Sequence, residues 1–353
     1  MSQITYDHRA VVGREDGPVV MKAGPDWIPL QGALDVQPGS ALDFSALCGP
    51  REAAGAQGWL RASKTKPADF EFERQPGKRV RFYGVNMCSE ALFLSHDESD
   101  RVAERWMRRG CSCFRFHFYE RGLLDPKAKD SVTLSPEALE QFDYLFAAMK
   151  RRGIYMTTDL YVGRFGEKGG GISAAELIEG ADPKSRLGDK SVFFVSPRAL
   201  ENLKEFNRRW LSHVNPYTKL AYKDDPALAW ISLINEPGLT QQLPKMRKNP
   251  YEAALWNAAW EKWQKEHGVK EDWDKGPNFH RFLWETQGKT EQELTRFLRD
   301  ELKYKGLITD LNGFAGEWGC QALRQAFDYV DGHIRGETPT GPRAARPAPR
   351  REP

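Results

Sequence analysis

The sequence has no long hydrophobic run and almost no excess of charge of either sign. It contains 353 residues, and no stretch approaches the roughly 18 consecutive apolar residues that a membrane-spanning helix needs. The first twenty residues lack the apolar centre of a secretory signal. Lys and Arg total 52 against 49 Asp and Glu, a net charge of +3, whereas nucleic-acid binding needs clustered basic charge. We therefore expect a globular protein with no nucleic-acid or membrane partner.

Cysteine is scarce, and the motifs of common cofactor sites are absent. The five Cys are an odd number without framework spacing, which indicates reduced thiols and a cytoplasmic protein; export is the alternative if the sequence is incomplete. Neither a P-loop nor an H-E-x-x-H motif occurs. The turn after the first predicted parallel strand, MCSEALF, holds no Gly, which argues against a dinucleotide site. We expect no metal and no organic cofactor.

From residue 79 onward, short apolar runs alternate with amphipathic helical runs. Six strands are predicted, at Arg79–Met87, Ser112–Tyr119, Ile154–Val162, Leu228–Asn235, Leu307–Leu311 and Tyr329–Ile334. Repeated strand–helix units indicate an α/β protein with a parallel sheet and helical crossovers. Polar residues follow each strand, as in a (β/α)₈ TIM barrel. A doubly wound sheet is the alternative.

Composition divides the chain into an extension, a barrel domain and a tail. Residues 1–78 are rich in Gly, Pro and Asp and predict a small β-rich extension that packs on the barrel. Residues 79–335 predict the barrel, with a polar, Trp-dense insert at 238–289. Residues 336–353 hold five Pro and four Arg without large aliphatic residues, so we expect them to be disordered.

The candidate site residues lie at or just after the carboxyl ends of the predicted strands, because function in such a barrel lies at those ends and on the loops that follow. They are Arg115 and His117 toward the end of the second strand, Asn235 and Glu236 at the end of the fourth, Glu317 after the fifth and His333 near the end of the sixth. No nucleophile elbow and no metal-ligand spacing accompanies them. Such a mixture of side chains favours acid–base chemistry on a neutral polyol over phosphoryl or acyl transfer.

The fourth unit, NPYTKLAYKDDPALAWISLINEP, resembles that of clan A glycoside hydrolases, most closely the cellulase-like family 5. VRFYGVNMCSEAL, CSCFRFHFYE and RGIYMTTDLYVGR resemble the first three units of that family. The resemblance covers residues 75–334. It implies that Glu236 is the general acid/base, that Asn235 binds the sugar 2-hydroxyl, that Arg115 orients carboxylates and that His333 is the sixth-strand histidine.

Physical chemistry supports these implied roles, but most of these residues also have a purely structural interpretation. Desolvation among apolar neighbours raises the pKa of a strand-end Glu, as a general acid requires. The alternatives are a loop-capping Glu236, a turn residue at Asn235 and a buried ion-pair partner at Arg115. For His117 a satisfied core histidine is the alternative to a place in the site.

The Trp-rich insert has two interpretations. Sugar rings stack on aromatic faces, so Trp256 and Trp284 are predicted to bind substrate. Trp256, Trp260 and Trp263 share one helical face, however, and this spacing also predicts simple packing of the insert onto the barrel.

A retaining glycosidase needs a second carboxylate about 5–5.5 Å from the first. In the resembled family it is a Glu on the seventh strand, but the resemblance here ends just after His333, with Arg335 where Tyr is expected. We therefore expect a chain truncated by a frameshift or an incomplete gene assembly, with about six of eight barrel units. Glu317 is the nearest spare carboxylate and the candidate substitute nucleophile.

These features predict a retaining glycoside hydrolase whose partner is a carbohydrate substrate, a β-linked glucan or mannan. An inactive carbohydrate-binding fragment and a transglycosylase are the alternatives. The sugar, the linkage, endo or exo action and the oligomeric state are left open by the sequence.

Overall fold

The fold is described by a computed structural model over residues 35–48, 51–66, 68–164, 172–187, 190–313 and 318–333. Glu317 and the predicted tail, 336–353, lie outside these residues, as does the start of the predicted extension. The described part of the extension contains a three-stranded antiparallel sheet of β1 (Leu60–Ala62), β2 (Phe70–Phe72) and β3 (Gln75–Val80). The predicted domain boundaries stay a prediction, and β3 crosses the one at residue 78.

A five-stranded parallel sheet forms the centre of the molecule. Its strands are β4 (Gly84–Cys88), β5 (Cys113–His117), β6 (Tyr155–Tyr161), β9 (Leu228–Ile234) and β10 (Leu307–Thr309). A two-stranded ribbon of β7 (Ile172–Ser173) and β8 (Arg186–Leu187) lies between β6 and β9 in the chain. The sheet order is β10-β9-β6-β5-β4, and every neighbouring pair is parallel.

The strand order shows that the sheet is part of a barrel. Each strand lies beside the one before it in the chain, so the sheet grows in one direction only. Right-handed crossovers then place all connecting helices on one face, whereas a doubly wound sheet reverses direction. The predicted α/β barrel fold is therefore confirmed as a partial barrel, with a small β-rich extension at its amino-terminal side.

Five of the six predicted barrel strands are confirmed, and the prediction of a sixth is wrong within the described residues. The segment 328–333 does lie beside β10, because Asp328 N donates to Ile308 O at 3.0 Å. The Ile308 N–H, however, donates to the Asp328 carboxylate at 2.7 Å. Thr309 Oγ1 reaches Tyr329 O at 3.0 Å. Side-chain groups thus form hydrogen bonds that backbone groups would form if residues 328–333 were a strand paired with β10.

Helices alternate with the strands in the described residues, and some of them begin at a residue whose side chain caps the first turn. The helices are α1 (His96–Arg108), α2 (Glu120–Leu123), α3 (Pro136–Arg151), α4 (Ala174–Leu177), α5 (Pro197–Leu211), α6 (Leu239–Met246), α7 (Pro250–His267), α8 (Pro277–Arg296) and α9 (Trp318–Leu323). Ser135 caps α3 and Ser196 caps α5, each followed by Pro at the first helical position. None of the described helices is long and apolar enough to cross a membrane.

The predicted insert consists of helices, and its predicted end at residue 289 lies inside one of them. That helix, α8, begins at Pro277, after Gly276 with φ +76°, and runs to Arg296. A π-helical turn then continues to Glu301. The insert and the barrel therefore share α8, and this places α8 residues directly behind the strand ends.

Aromatic side chains fill the amino-terminal end of the sheet. Phe72 of β2 stacks on Tyr155 of β6, with ring centroids 4.9 Å apart. Phe82 lies 5.1 Å from Trp230 of β9. The extension thus packs against the bottom of the partial barrel, and the carboxyl-terminal end of the same strands stays open to carry polar groups.

Candidate active site

The carboxyl ends of the strands meet at one edge, and the backbone there is unusual. Four non-glycine residues have positive φ just after four of the five strands: Ser89 (54°), Phe118 (53°), Glu236 (48°) and Leu311 (61°). Side chains other than Gly and Asn rarely adopt this left-handed region. Such conformations cluster at functional sites in proteins, and here one of them is the predicted acid/base residue.

Arg115 and Asp159 form the charged centre of this edge. The Arg115 Nη2 atom lies 2.8 and 2.7 Å from the two Asp159 carboxylate oxygens, and Nε lies 3.1 Å from Oδ2. Asp159 is fully buried, and the Arg115 side chain is 18% exposed. The buried ion pair weighed as an alternative for Arg115 is therefore present. The same Nη2 also donates to Asn235 Oδ1 at 3.0 Å, so the pair reaches the predicted site.

His117 lies at this pair. Its Nδ1 is 3.7 Å from Asp159 Oδ2, which is too long for a hydrogen bond. Nδ1 is buried and has no hydrogen-bond partner among the described residues. The alternative of a satisfied core histidine therefore does not describe it, and His117 stays a candidate for binding a ligand at the site.

His333 connects Arg115 to Glu236. Its Nε2 lies 3.3 Å from Arg115 Nη1, and its Nδ1 lies 2.9 Å from Glu236 Oε1. A guanidinium only donates hydrogen bonds, so Nε2 accepts and the neutral ring carries its proton on Nδ1. His333 therefore donates to Glu236 Oε1, which leaves Oε2 as the oxygen that can carry an acid proton.

The backbone of the Asn235–Glu236 turn is held from several sides. Asn235 N donates to Tyr161 O at 2.9 Å, and the Lys190 ammonium donates to Asn235 O. Glu236 N donates to Asn312 Oδ1 at 2.8 Å. These bonds fix the direction in which the Glu236 side chain leaves the turn.

Asn312 links that turn to the charged centre. It is fully buried, and its Nδ2 lies 3.4 Å from Asp159 Oδ1 and 3.3 Å from Ser232 Oγ. The next residue, Gly313, packs so closely that an added Cβ would lie 3.0 Å from Glu236 Cα. Asp159 and Asn312 could have been found from the sequence, because each lies near the end of a predicted strand. Nothing in the sequence pointed to Lys190.

The sequence expectation that Glu236 is buried among apolar side chains is wrong for the described residues. Its side chain is 41% exposed. Glu120, by contrast, is fully buried and accepts from Val162 N and, at 3.2 Å, from Gly163 N. Burial raises the pKa of Glu120 to about 7. Glu120 therefore anchors the loop after β6.

The predicted substrate role of Trp256 is contradicted by its burial. The ring is fully buried, lies 6.1 Å from Phe282, and its Nε1 lies 3.3 Å from Glu252 Oε1. The packing interpretation of the helical Trp spacing describes it, because a covered ring has no face for a sugar. Trp284 is half-buried, and its role in binding stays a prediction. Glu317 lies outside the described residues.

The structure thus brings five predicted site residues together and leaves their roles as predictions. They are Arg115, His117, Asn235, Glu236 and His333. In the part of the chain that the structure describes, no group of three or more His, Cys, Asp or Glu side chains is arranged to hold a metal ion.

Comparison with known proteins points to carbohydrate-active enzymes. No family model matches the chain. Mannan endo-1,4-beta-mannosidase 3 of Oryza sativa subsp. japonica is 26% identical over 172 residues, which are 47% of this chain and 36% of that protein. Mannan endo-1,4-beta-mannosidase 4 of Solanum lycopersicum is 25% identical over 167 residues, 46% of this chain and 41% of that protein. The chain thus spans less than half the length of these curated relatives.

Among solved structures, the endo-1,4-beta-mannanase from Rhizomucor miehei aligns with 74% of this chain and 63% of its own, at 16% identity and a TM-score of 0.48. This superposition is loose, and the strand order is the stronger evidence for the fold. The curated relatives confirm the resemblance drawn from the sequence motifs: the chain is similar to glycoside hydrolases of family 5.

Proposed function

We propose that this chain carries the acid/base centre of a retaining glycoside hydrolase that cleaves β-1,4-linked mannan. One observation carries the proposal: Glu236 is hydrogen-bonded to His333, and both His333 and Asn235 are hydrogen-bonded to Arg115. The names of the curated relatives support mannan over glucan as the substrate. Glucan was the other polysaccharide expected from the sequence.

In the first step Glu236 acts as the acid. Its Oε2–H gives the proton to the glycosidic oxygen as the C1–O bond breaks, and a carboxylate nucleophile forms a bond to C1. The Nδ1–H of His333, bonded to Oε1 at 2.9 Å, stabilises the carboxylate that results. In the second step that carboxylate takes a proton from a water molecule, the water oxygen bonds to C1, and the nucleophile leaves.

Asn235 is oriented for the 2-hydroxyl of the sugar. Because its Oδ1 accepts from Arg115 at 3.0 Å, its Nδ2 is the end that remains to donate. A hydrogen bond to the 2-hydroxyl strengthens in the oxocarbenium-like transition state. Arg115 in turn is fixed by Asp159, so the amide has one preferred orientation.

The nucleophile is the component that needs direct identification. Glu317 is the candidate on this chain, and a Glu on a seventh strand is what the resembled family uses. Trapping with a 2-fluoro-mannosyl fluoride, followed by peptide mass spectrometry, identifies the labelled carboxylate in either case.

The test compares the natural chain with Glu236→Gln on soluble β-1,4-mannan and on 2,4-dinitrophenyl β-mannoside. General acid catalysis contributes about 10²–10⁴-fold, so we expect mannan hydrolysis to fall by that factor. Dinitrophenolate leaves without protonation, so its first step should change little. Glu137→Gln, an exposed residue in the first turn of α3, is the matched control and should hydrolyse mannan like the natural chain.

Two other outcomes separate the alternatives. Mannan binding without turnover, unchanged in Glu236→Gln, identifies a carbohydrate-binding fragment and refutes the hydrolase. Products extended by an added mannose acceptor identify a transglycosylase. Equal losses on both substrates in Glu236→Gln contradict the acid role of this residue.

A further inference from the structure

Two buried carboxyl groups lie behind the Asn235–Glu236 turn, and the proposed reaction does not use them. The first is Asp310, the residue after β10, which is fully buried. Its Oδ1 accepts from Ile234 N at 3.1 Å, directly before the turn. Its Oδ2 is buried and has no hydrogen-bond partner among the described residues.

The second carboxyl group holds the other end of the same turn. Glu291 of α8 is buried, and its Oε1 accepts from Gln287 Nε2 at 2.7 Å. The Oε1 of Gln287 accepts from Leu239 N at 3.3 Å. Asp310, just after β10, therefore holds the backbone before Glu236 directly. Glu291 of α8 holds the backbone after Glu236 through Gln287.

The charges around the pair favour a bound proton. Asp310 faces Glu291 from α8 and Asp159 from β6, and Asp159 is neutralised by Arg115 of β5. Burial, and then the charge of Glu291, raises the pKa of Asp310 well above its usual range, and burial also raises the pKa of Glu291. Two carboxylates in one buried site do not both ionise readily, and the partnerless Oδ2 of Asp310 is the atom left to hold a proton.

We propose that Asp310 and Glu291 are positioning residues that hold the backbone on both sides of Glu236, Asp310 through the Ile234 amide and Glu291 through Gln287, which accepts from the Leu239 amide. Their effect on catalysis rests on the proposed function, whereas their effect on the turn does not. The native state holds more protons than the unfolded chain once pH exceeds about 4, the usual carboxyl pKa. Raising the pH therefore lowers the stability of the folded turn relative to the opened one, because loss of the proton places two like charges behind the turn.

The experiment measures hydrogen exchange of the Ile234 and Leu239 amides between pH 6 and 9, corrected for intrinsic rates. We expect protection in the natural chain to fall by up to tenfold per pH unit while the native pair keeps a proton that the opened turn has lost, and to level off above the titration of the pair. Asp310→Asn and Glu291→Gln each replace one of the two titrating acids by its neutral form, so protection should fall less steeply with pH in each of them, and least in the double variant. Glu120→Gln is the matched control, because it removes a buried acid beneath Val162–Gly163 and should leave the pH dependence at 234–239 unchanged.

Activity toward mannopentaose separates this inference from the proposed function. The alkaline limb of kcat should move to higher pH in Asp310→Asn and Glu291→Gln, with KM little changed. Constant protection in the natural chain, or a pH dependence in both neutral variants equal to that of the natural chain, overturns the inference. Titrating protection without hydrolysis of mannopentaose at any pH refutes the proposed function alone. Hydrolysis with an unmoved alkaline limb refutes the catalytic part of the inference.

Discussion

At the amino-terminal ends of the central strands, Tyr155 packs against Phe72 of the extension, and Trp230 packs against Phe82 from the segment between β3 and β4. At the carboxyl-terminal ends of β6 and β9, Asp159 and Asn235 are joined by Arg115. One end is stabilised by exclusion of water and by many dispersion contacts that are individually weak. The other end depends on directional bonds to a buried charge, where the loss of one partner leaves the other uncompensated. The same strands therefore respond differently to change at their two ends.

The largest expected effect is at the polar end. Asp159→Ala leaves the Arg115 guanidinium without its carboxylate, and breaking a buried pair in this way costs about 3–5 kcal/mol of unfolding free energy. Urea unfolding of the natural chain and of Asp159→Ala measures this loss of unfolding free energy. Asp100→Ala is the control, because Asp100 is 39% exposed beside Arg151 and Arg152 and such pairs contribute about 0–1 kcal/mol. Equal losses in the two variants would remove the distinction between the ends.

The next effect is at the aromatic end. Phe72→Ala leaves a cavity beside Tyr155, and large-to-small changes of this kind cost about 3 kcal/mol. Because it shares no hydrogen bond with the site, we expect mannan binding to persist below the melting temperature. In the double variant with Asp159→Ala, the two losses should add within about 0.5 kcal/mol. A larger coupling energy would show that the two ends are not independent.

A smaller effect is the pH dependence of the polar end. Burial raises the pKa of Glu120 from 4.5 to about 7, so between these values the native state keeps a proton that the unfolded chain has lost. The contribution of Glu120 to the unfolding free energy therefore falls as pH rises from 4.5 to 7, by up to about 3 kcal/mol. Comparison of chemical unfolding at pH 5 and pH 8 measures this fall. Glu120→Gln should reduce it by the contribution of Glu120, whereas Phe72→Ala should keep it.

Strands and helices were predictable where one local signal decided them. The apolar run Leu228–Ile234 and the Ser135–Pro136 start of α3 match the structure. The sixth strand failed because the Asp328 carboxylate takes the Ile308 N–H, a contact that no local pattern encodes.

The meeting of Arg115, Glu236 and His333 follows from parallel strands, because the carboxyl ends of such strands converge at one edge. Trp256 was misjudged because helical spacing shows which residues share a face but not what covers that face. Lys190 contacts the turn from a distant part of the chain. Gln287, which is hydrogen-bonded to Glu291, contacts Leu239 just after the turn. Their contribution depends on the path of α8 and of the loop before α5, which the sequence alone does not specify.

The left-handed residues that follow four of the five strands have a consequence for engineering. At Ser89, Phe118 and Leu311, Gly would relieve a steric cost of about 1 kcal/mol at each position. At Glu236 the same change would also relieve it, but it would delete the proposed acid. A selection for thermal tolerance alone would therefore accumulate glycine at this rim and could erase the reaction, whereas a selection for turnover has to retain a costly backbone at position 236. Substitution with Gly can therefore raise stability without loss of the proposed acid only at Ser89, Phe118 and Leu311.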